Sequence, residues 1–390
     1  MKKRIALMVN SLHFGGAERV FADLSVYLHE QGHEVHLFLM DDTDIAYPYG
    51  GKVHKIALYA KAGSRLATLL LPQYFIMGWY YKRKLRIDYT ISAMEFLNLI
   101  NLMIPGKDKK IVTMHNHKWQ CEVTPTFKDN LIERMFSRRM GKIHAMVAVS
   151  EGIRQKAIGL YDIAPEKVVT IYNASRTEDI AKQAKEPIAP ETQAFMTPDT
   201  FLNASRLEDQ KSIHKLILAF SIVAKSNDGA RLVLAGDGSL RQKLQELARS
   251  LGLGDKILFT GFVKNPFALM AQARAFVLSS CYEGFGNVLV EAMCCSCPVI
   301  STDCLCGPRE IIAPGTTGTA DKMTACEYGI LVPPPRESGW DLTIDDCVME
   351  MARAMQMVMA DKDQLYRAKS LQRAQDFTLN RLYPKWETIL

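Results

Sequence analysis

Ala275-Phe276-Val277-Leu278, then Ser279-Ser280-Cys281-Tyr282-Glu283-Gly284-Phe285-Gly286-Asn287, then Val288-Leu289-Val290-Glu291-Ala292-Met293 is the stretch on which the fold is decided. Four apolar residues in a row read as a buried strand, and Val288 to Cys295 reads as a helix. Between them lie a Glu, two glycines and an Asn. Glycine lets a backbone approach a ligand closely, and a helix N-terminus presents unpaired N–H groups and the positive end of a dipole. The junction therefore predicts a seat for an anion. Glu283 and Glu291 bracket it. Eight helical residues rise about 12 Å, so the two acids address opposite ends of one extended ligand, too far apart for a close acid–base pair. A nucleotide-sugar meets those dimensions, with one acid at the hexose, the other at the ribose and the diphosphate between them.

Outward from that junction, the same strand–turn–helix unit recurs. Ile5 to Val9 reads as a buried strand, followed by the loop Asn10 to Gly16 and a helix from about Ala17 to Gln31 with Val20, Phe21, Leu24, Tyr27 and Leu28 on one face. Gly32 stops it and Val35 to Met40 is the next strand, which opens a doubly wound sheet. Gly15 and Gly16 do not fit G-x-G-x-x-G, which disfavours a nicotinamide cofactor. Further strands end at His115, at Ser150 and at Asn173, and strand ends are where open α/β sheets gather ligands. The polar stretch Lys182 to Thr200, with Pro187, Pro190 and Pro198, reads as a linker. Beyond it the pattern restarts. Strands are expected to end before Arg206 and Lys211, before Gly236-Asp237-Gly238 and before Gly261-Phe262-Val263. The expected architecture is α/β, two Rossmann-like halves over 1–185 and 186–373, facing across a cleft.

Bulk properties narrow the field. At 390 residues, 48% hydrophobic and 23% charged, the chain is ordinary globular protein with room for two or three cores. Nine cysteines without C-x-x-C pairing point to a reducing, cytoplasmic setting. The cluster Cys294, Cys295, Cys297, Cys304 and Cys306 reads as small apolar packing around a buried helix end, and no metal site is expected there. In Met1 to Asn10 the apolar core before Asn10 is only five residues and no cleavage signal follows, so it reads as a strand and not as a signal peptide. The net charge of +6 is uneven: residues 1–180 hold 25 Lys/Arg against 18 Asp/Glu, the remainder 23 against 24. An anionic partner for the first half follows, and without a stacking aromatic platform a nucleic acid is not expected. Leu66 to Tyr81, uncharged but broken by Pro72 and Gly78, is too short to span a membrane. With Lys82-Arg83-Lys84 behind it, and with Phe127 to Lys142 as a second basic amphipathic segment, it reads either as an interfacial helix or as an ordinary helix covering the sheet. Asp42-Thr43-Asp44 matches D-x-D but reads as a loop.

The Glu283-x(7)-Glu291 spacing with its glycines resembles the E-x(7)-E signature of the family-four retaining glycosyltransferases of GT-B fold, and Gly15-Gly16-Ala17-Glu18 is similar to their N-lobe loop facing donor diphosphate and acceptor. Arg206 and Lys211 match the R-x(4)-K turn, although Ser205 and Ser212 stand where glycines are usual. Gly307-Pro308-Arg309-Glu310-Ile311-Ile312 and Tyr172-Asn173-Ala174 resemble members that extend undecaprenyl-diphosphate-linked oligosaccharides with UDP-N-acetylhexosamines. The resemblance implies a metal-independent retaining transferase. It would carry a hexose or N-acetylhexosamine from a UDP-sugar to a lipid-linked or growing surface glycan, at the cytoplasmic face of an inner membrane.

It also implies residue roles. Arg206 and Lys211 would neutralise the departing diphosphate. Glu283, Gly284, Phe285, Gly286, Asn287 and Val288 would hold sugar and phosphate, Glu291 the ribose, and Gly261, Phe262 and Val263 the base. Gly236 and Gly238 stand at a strand end near the donor, and His115 near the transferred sugar. Residues 374–390 would cross back to the N-lobe. An epimerase or hydrolase on the same fold, or a non-catalytic partner subunit, are the competing readings.

Overall fold

A computed structural model describes residues 2–13, 15–57, 71–115, 127–336, 339–361 and 364–390, the side chains of residues 71 and 127–129 excepted. The described chain divides by its contacts into two units, one of residues up to 115, 127–174 and 382–390, the other of residues 175–381.

The first unit carries strands β1 (Arg4–Val9), β2 (Glu34–Leu39), β3 (Lys52–Lys55), β4 (Tyr89–Ala93), β5 (Lys109–Met114), β6 (Ala145–Ala148) and β7 (Val168–Thr170). They pair in the order β3-β2-β1-β4-β5-β6-β7, and every pairing is parallel. Strands buried on both faces read as apolar runs without alternation, and Ile5 to Val9 are each at most 1% exposed. Helices α1 (Gly16–Glu30), α2 (Leu71–Lys84), α3 (Glu95–Met103), α4 (Phe127–Ser137) and α5 (Glu151–Tyr161) join them. Ser150 caps α5 by accepting a hydrogen bond from the Ile153 N–H.

The second unit repeats the plan with α6 (Thr177–Gln183), α7 (Pro190–Phe195), β8 (Thr200–Ala204), α8 (Ile213–Ser226), β9 (Arg231–Ala235), α9 (Arg241–Ser250), β10 (Ile257–Gly261), α10 (Phe267–Gln272), β11 (Ala275–Leu278), α11 (Asn287–Cys294), β12 (Val299–Thr302), α12 (Pro308–Ile312), β13 (Thr324–Ala325), β14 (Ile330–Val332), α13 (Asp346–Ala360) and α14 (Leu365–Ala374). Its sheet runs β10-β9-β8-β11-β12-β14-β13, with only β13 antiparallel. Leu216, Ile217 and Phe220 on α8 pack with Val348, Met351 and Met355 on α13 in one core.

The expected linker at 182–200 is not structureless. Pro190 starts α7 from the first helical position, where its missing N–H costs nothing. The contact boundary lies ahead of it, at Ala174 and Ser175. At the far end, residues through Arg381 stay with the second unit and only 382–390, including short helices α15 (Leu379–Leu382) and α16 (Pro384–Glu387) in part, join the first. There the Tyr383 hydroxyl donates to the Val20 carbonyl at 3.2 Å, and His33 Nε2 lies 3.0 Å from Glu387 Oε1.

Candidate donor site and its relatives

The second sheet reverses its winding between β8 and β11, and ligands of open α/β sheets bind outside the strand ends at such a reversal. The loops leaving those two strands are tied together. Lys211 Nζ stands 2.5 Å from Glu283 Oε1, across 72 residues of sequence, and both side chains are mostly buried. The Ser280 hydroxyl donates to the same carboxylate oxygen at 2.6 Å. The Ser279 hydroxyl donates to the Lys211 carbonyl, the Cys281 N–H to the Gln210 carbonyl, and the Gln210 amide to the Tyr282 carbonyl. A buried carboxylate with a cation and a hydroxyl on one oxygen is held in one orientation.

Gly286 caps α11 with φ +94, the left-handed conformation that an L side chain resists, so the two-glycine spacing is a backbone requirement of this turn. Phe285 is buried edge-on against Phe377, ring centroids 5.5 Å apart, so its side chain anchors the turn while its backbone faces the helix start. Gly284 is buried, and Asn287, Val288 and Glu291 are half-buried on the first turns of α11. Arg206 differs from Lys211: it is exposed, and its side chain has no hydrogen bond or ion pair among the described residues. One expected cation is therefore locked to a carboxylate and the other projects freely.

Gly236 and Gly238 allow a close backbone approach. A Cβ on Gly236 would lie 1.9 Å from the Ser205 carbonyl oxygen, and one on Gly238 2.4 Å from that of Leu207. These glycines let the loop after β9 press against the backbone that carries Arg206. Glu208 completes the junction by accepting from the Ser239 N–H and hydroxyl. Gly261 has φ +75, with Arg241 packed beneath it, Phe262 is 62% exposed and Val263 half-buried.

Sequence reasoning missed Ser279 and Ser280, whose signal was a pair of small hydroxyls between an apolar strand and an acid. It also missed Asp303, which ends β12 buried and receives the Arg309 guanidinium and the Ala320 N–H at 2.5 Å. Cys294, Cys295, Cys297, Cys304 and Cys306 are buried free thiols, and burial pushes the Cys297 thiol up to about 12. Among the described residues no three His, Cys, Asp or Glu side chains are grouped to hold a metal ion.

In the first unit, the Gly15 N–H donates to the Tyr47 hydroxyl at 3.2 Å, and the Glu18 carboxylate folds back over Gly15 where a side chain would otherwise stand. Gly16 opens α1. His115 ends β5 beside Phe21, ring centroids 5.8 Å apart, and burial pushes its pKa down to about 4, so the ring is neutral. Asp42-Thr43-Asp44 is a loop: Asp42 pairs with Lys55, and Asp41 binds the Thr43 N–H and hydroxyl. Helix α2 exposes Ile76, Trp79 and Tyr80, with Arg83 over the Trp79 ring at 5.6 Å and Lys84 over the Tyr80 ring at 5.2 Å. Residues 58–70, which hold the start of the Leu66 to Tyr81 segment, and the side chains of residues 127–129, which begin the second, lie outside the described residues. No described helix is long and apolar enough to cross a membrane.

Two doubly wound units, each with one reversal of strand order, define a fold of two Rossmann-like halves, and the comparisons agree. Residues 14–179 match the family model "Glycosyltransferase Family 4" and residues 184–324 match "Glycosyl transferases group 1". A Campylobacter jejuni N-acetylgalactosamine-N,N'-diacetylbacillosaminyl-diphospho-undecaprenol 4-alpha-N-acetylgalactosaminyltransferase is 30% identical over 79% of this chain and 83% of its own. An uncharacterized glycosyltransferase of Methanocaldococcus jannaschii is 34% identical, and the match spans 57% of each chain. The crystal structure of Anabaena HepE in complex with UDP superposes with a TM-score of 0.74 at 18% identity, covering 99% of this chain and 98% of that one. The chain belongs to the family-four glycosyltransferases, and its fold is the two-domain GT-B fold.

Proposed function

We propose that this glycosyltransferase transfers a hexose or N-acetylhexosamine with retention from a UDP-sugar to a lipid-linked or surface glycan, without a metal ion. The observation that carries the reading is the Lys211–Glu283 pair held across the β8 and β11 loops beside the Gly286 turn. Cleavage of the anomeric bond leaves negative charge on the diphosphate, and fixed cations and helix N–H groups stabilise such charge best where water is scarce. Lys211 and the exposed Arg206 supply the cations, and the N–H groups of Phe285, Gly286 and Asn287 face the same anion. Glu283 meets a sugar hydroxyl, Glu291 the ribose hydroxyls, and the Gly261 to Val263 backbone the base. The neutral His115 serves as a hydrogen-bonding group near the transferred sugar.

In the step itself, the bond from the anomeric carbon to the diphosphate breaks as the acceptor oxygen bonds to the same face. The acceptor proton passes to a departing phosphate oxygen. UDP in the Anabaena structure, and a diphospho-undecaprenol acceptor in the name of the Campylobacter relative, support the donor and acceptor classes. The ring-and-cation face of α2 supports docking of the first unit on an anionic membrane surface, since aromatic and basic side chains partition to that interface.

The test is release of UDP or GDP from a panel of nucleotide-sugars, with polyprenyl-diphosphate-linked acceptors and with EDTA. Lys211→Ala and Glu291→Ala should each lower turnover about a hundredfold or more in a chain that still folds by circular dichroism, with Lys211→Ala alone melting lower because Glu283 loses its buried partner. Chelation should leave wild-type turnover intact. Wild-type rates in both variants would overturn the site, and loss of activity in EDTA would overturn the metal-free chemistry.

A further inference from the structure

The sheet of the first unit also reverses once, between β1 and β4, and the loops leaving those strands flank the reversal. Met8 and Ser92 are the last residues paired across it, and two positions further stand Asn10 and Met94. Met94 adopts φ +68 and ψ 151. That region is close to glycine's own, and a side-chain-bearing residue persists there only when its surroundings hold it. Core packing does not explain the side chain, because it is 49% exposed. A strained backbone thus presents a large, flexible apolar group to solvent at a ligand-binding edge of the sheet.

The neighbouring loop supplies the complementary chemistry. The His13 imidazole, about one-third exposed, has Nε2 3.5 Å from Asp41 and Nδ1 3.9 Å from Asp44. The Asn10 carbonyl accepts from the N–H groups of Met40 and Asp41, which fixes this loop to the end of β1. A polarisable apolar side chain on the loop after β4 and a carboxylate-oriented imidazole on the loop after β1, two neighbouring strands, together suit a pyranose ring, which offers a C–H face and a rim of hydroxyls.

We propose that Met94 is an acceptor-binding residue, seating the C–H face of the acceptor's terminal pyranose against its thioether while His13 hydrogen-bonds a hydroxyl of the same ring. The assignment rests on the glycosyl-transfer reading above.

The experiment compares wild type, Met94→Gly, Met94→Leu and His13→Gln with UDP-N-acetylglucosamine or UDP-N-acetylgalactosamine as donor. The acceptor is a detergent-dispersed undecaprenyl-diphosphate-linked N-acetylhexosamine. Glycine relieves the backbone, so Met94→Gly should melt about 2–4 °C higher than wild type. It should also raise acceptor KM tenfold or more while donor KM moves less than twofold. Met94→Leu, which keeps an apolar group there, should hold acceptor KM within threefold, and His13→Gln should raise acceptor KM alone. A side chain with a merely structural role would lower the melting temperature and shift both constants together. Met94→Gly with an unchanged acceptor KM, or with donor and acceptor KM rising in step, overturns the proposal. A wild-type chain that binds and cleaves donor but ignores this acceptor overturns the acceptor assignment while leaving the transfer reading standing; one that cleaves no donor overturns the transfer reading itself.

Discussion

Gly307→Ala tests how the donor turn is held. Gly307 has φ +89 and ψ −64, and an added Cβ would lie 2.0 Å from the Phe285 carbonyl oxygen and 2.4 Å from the Phe285 Cα. Backbone cannot rotate away as a side-chain tip can, so either the Asp303–Arg309 clamp or the Phe285 turn must move. Gly318 is the control, with φ +92 and nothing within 4 Å of a built Cβ. Its replacement by Ala carries only the left-handed penalty of about 1–2 kcal/mol. Adding a backbone collision should bring Gly307→Ala to about 3 kcal/mol or more, which for a unit of this size lowers the melting temperature by about 6–12 °C. Because Phe285 precedes the Gly286 cap, a displacement there misplaces the N–H groups of α11. Affinity for UDP, measured by titration calorimetry below the melting range, should fall between about ten- and a hundredfold. Equal melting temperatures and equal UDP affinities for the Gly307 and Gly318 variants would falsify the close-approach argument.

Two further outcomes follow from buried groups. Lys82 Nζ is 2.8 Å from both Asn101 and Asp108, nearly sealed from water, and Lys82→Met strands the Asp108 carboxylate; urea titration should show a loss of about 3–5 kcal/mol, largely recovered by adding Asp108→Leu. His115 and His214 are both pushed down to about 4, chiefly by burial, so the folded chain binds fewer protons than the unfolded chain between about pH 6.5 and pH 4. Stability is therefore full above that window and lost as pH falls through it. His214→Phe, beside Trp340 with both ring nitrogens of His214 unpartnered among the described residues, should flatten the decline in denaturant midpoint; an unaltered slope would show that His214 takes no part.

What could be read from residues alone was local. Apolar runs with no alternation announced parallel strands buried on both faces, and Gly284 and Gly286 between strand and helix announced the turn, because period and backbone permission are properties of neighbours in the chain. The packing role of the Cys294 to Cys306 cluster was legible for the same reason. Helix α7 inside the expected linker was not legible, because prolines that signal a break also suit the first turn of a helix, as at Pro190. The clearance that Gly236 and Gly238 give the backbone at Ser205 and Leu207 was not legible, because that backbone belongs to a segment some thirty residues away. Lys211 and Glu283 were each visible as charges. Their union, the one-sided engagement of Lys211 against a free Arg206, and the strain at Met94 were decided by the tertiary structure. Sequence order holds no distance between loops that leave neighbouring strands, and only sheet closure brings them within a hydrogen bond.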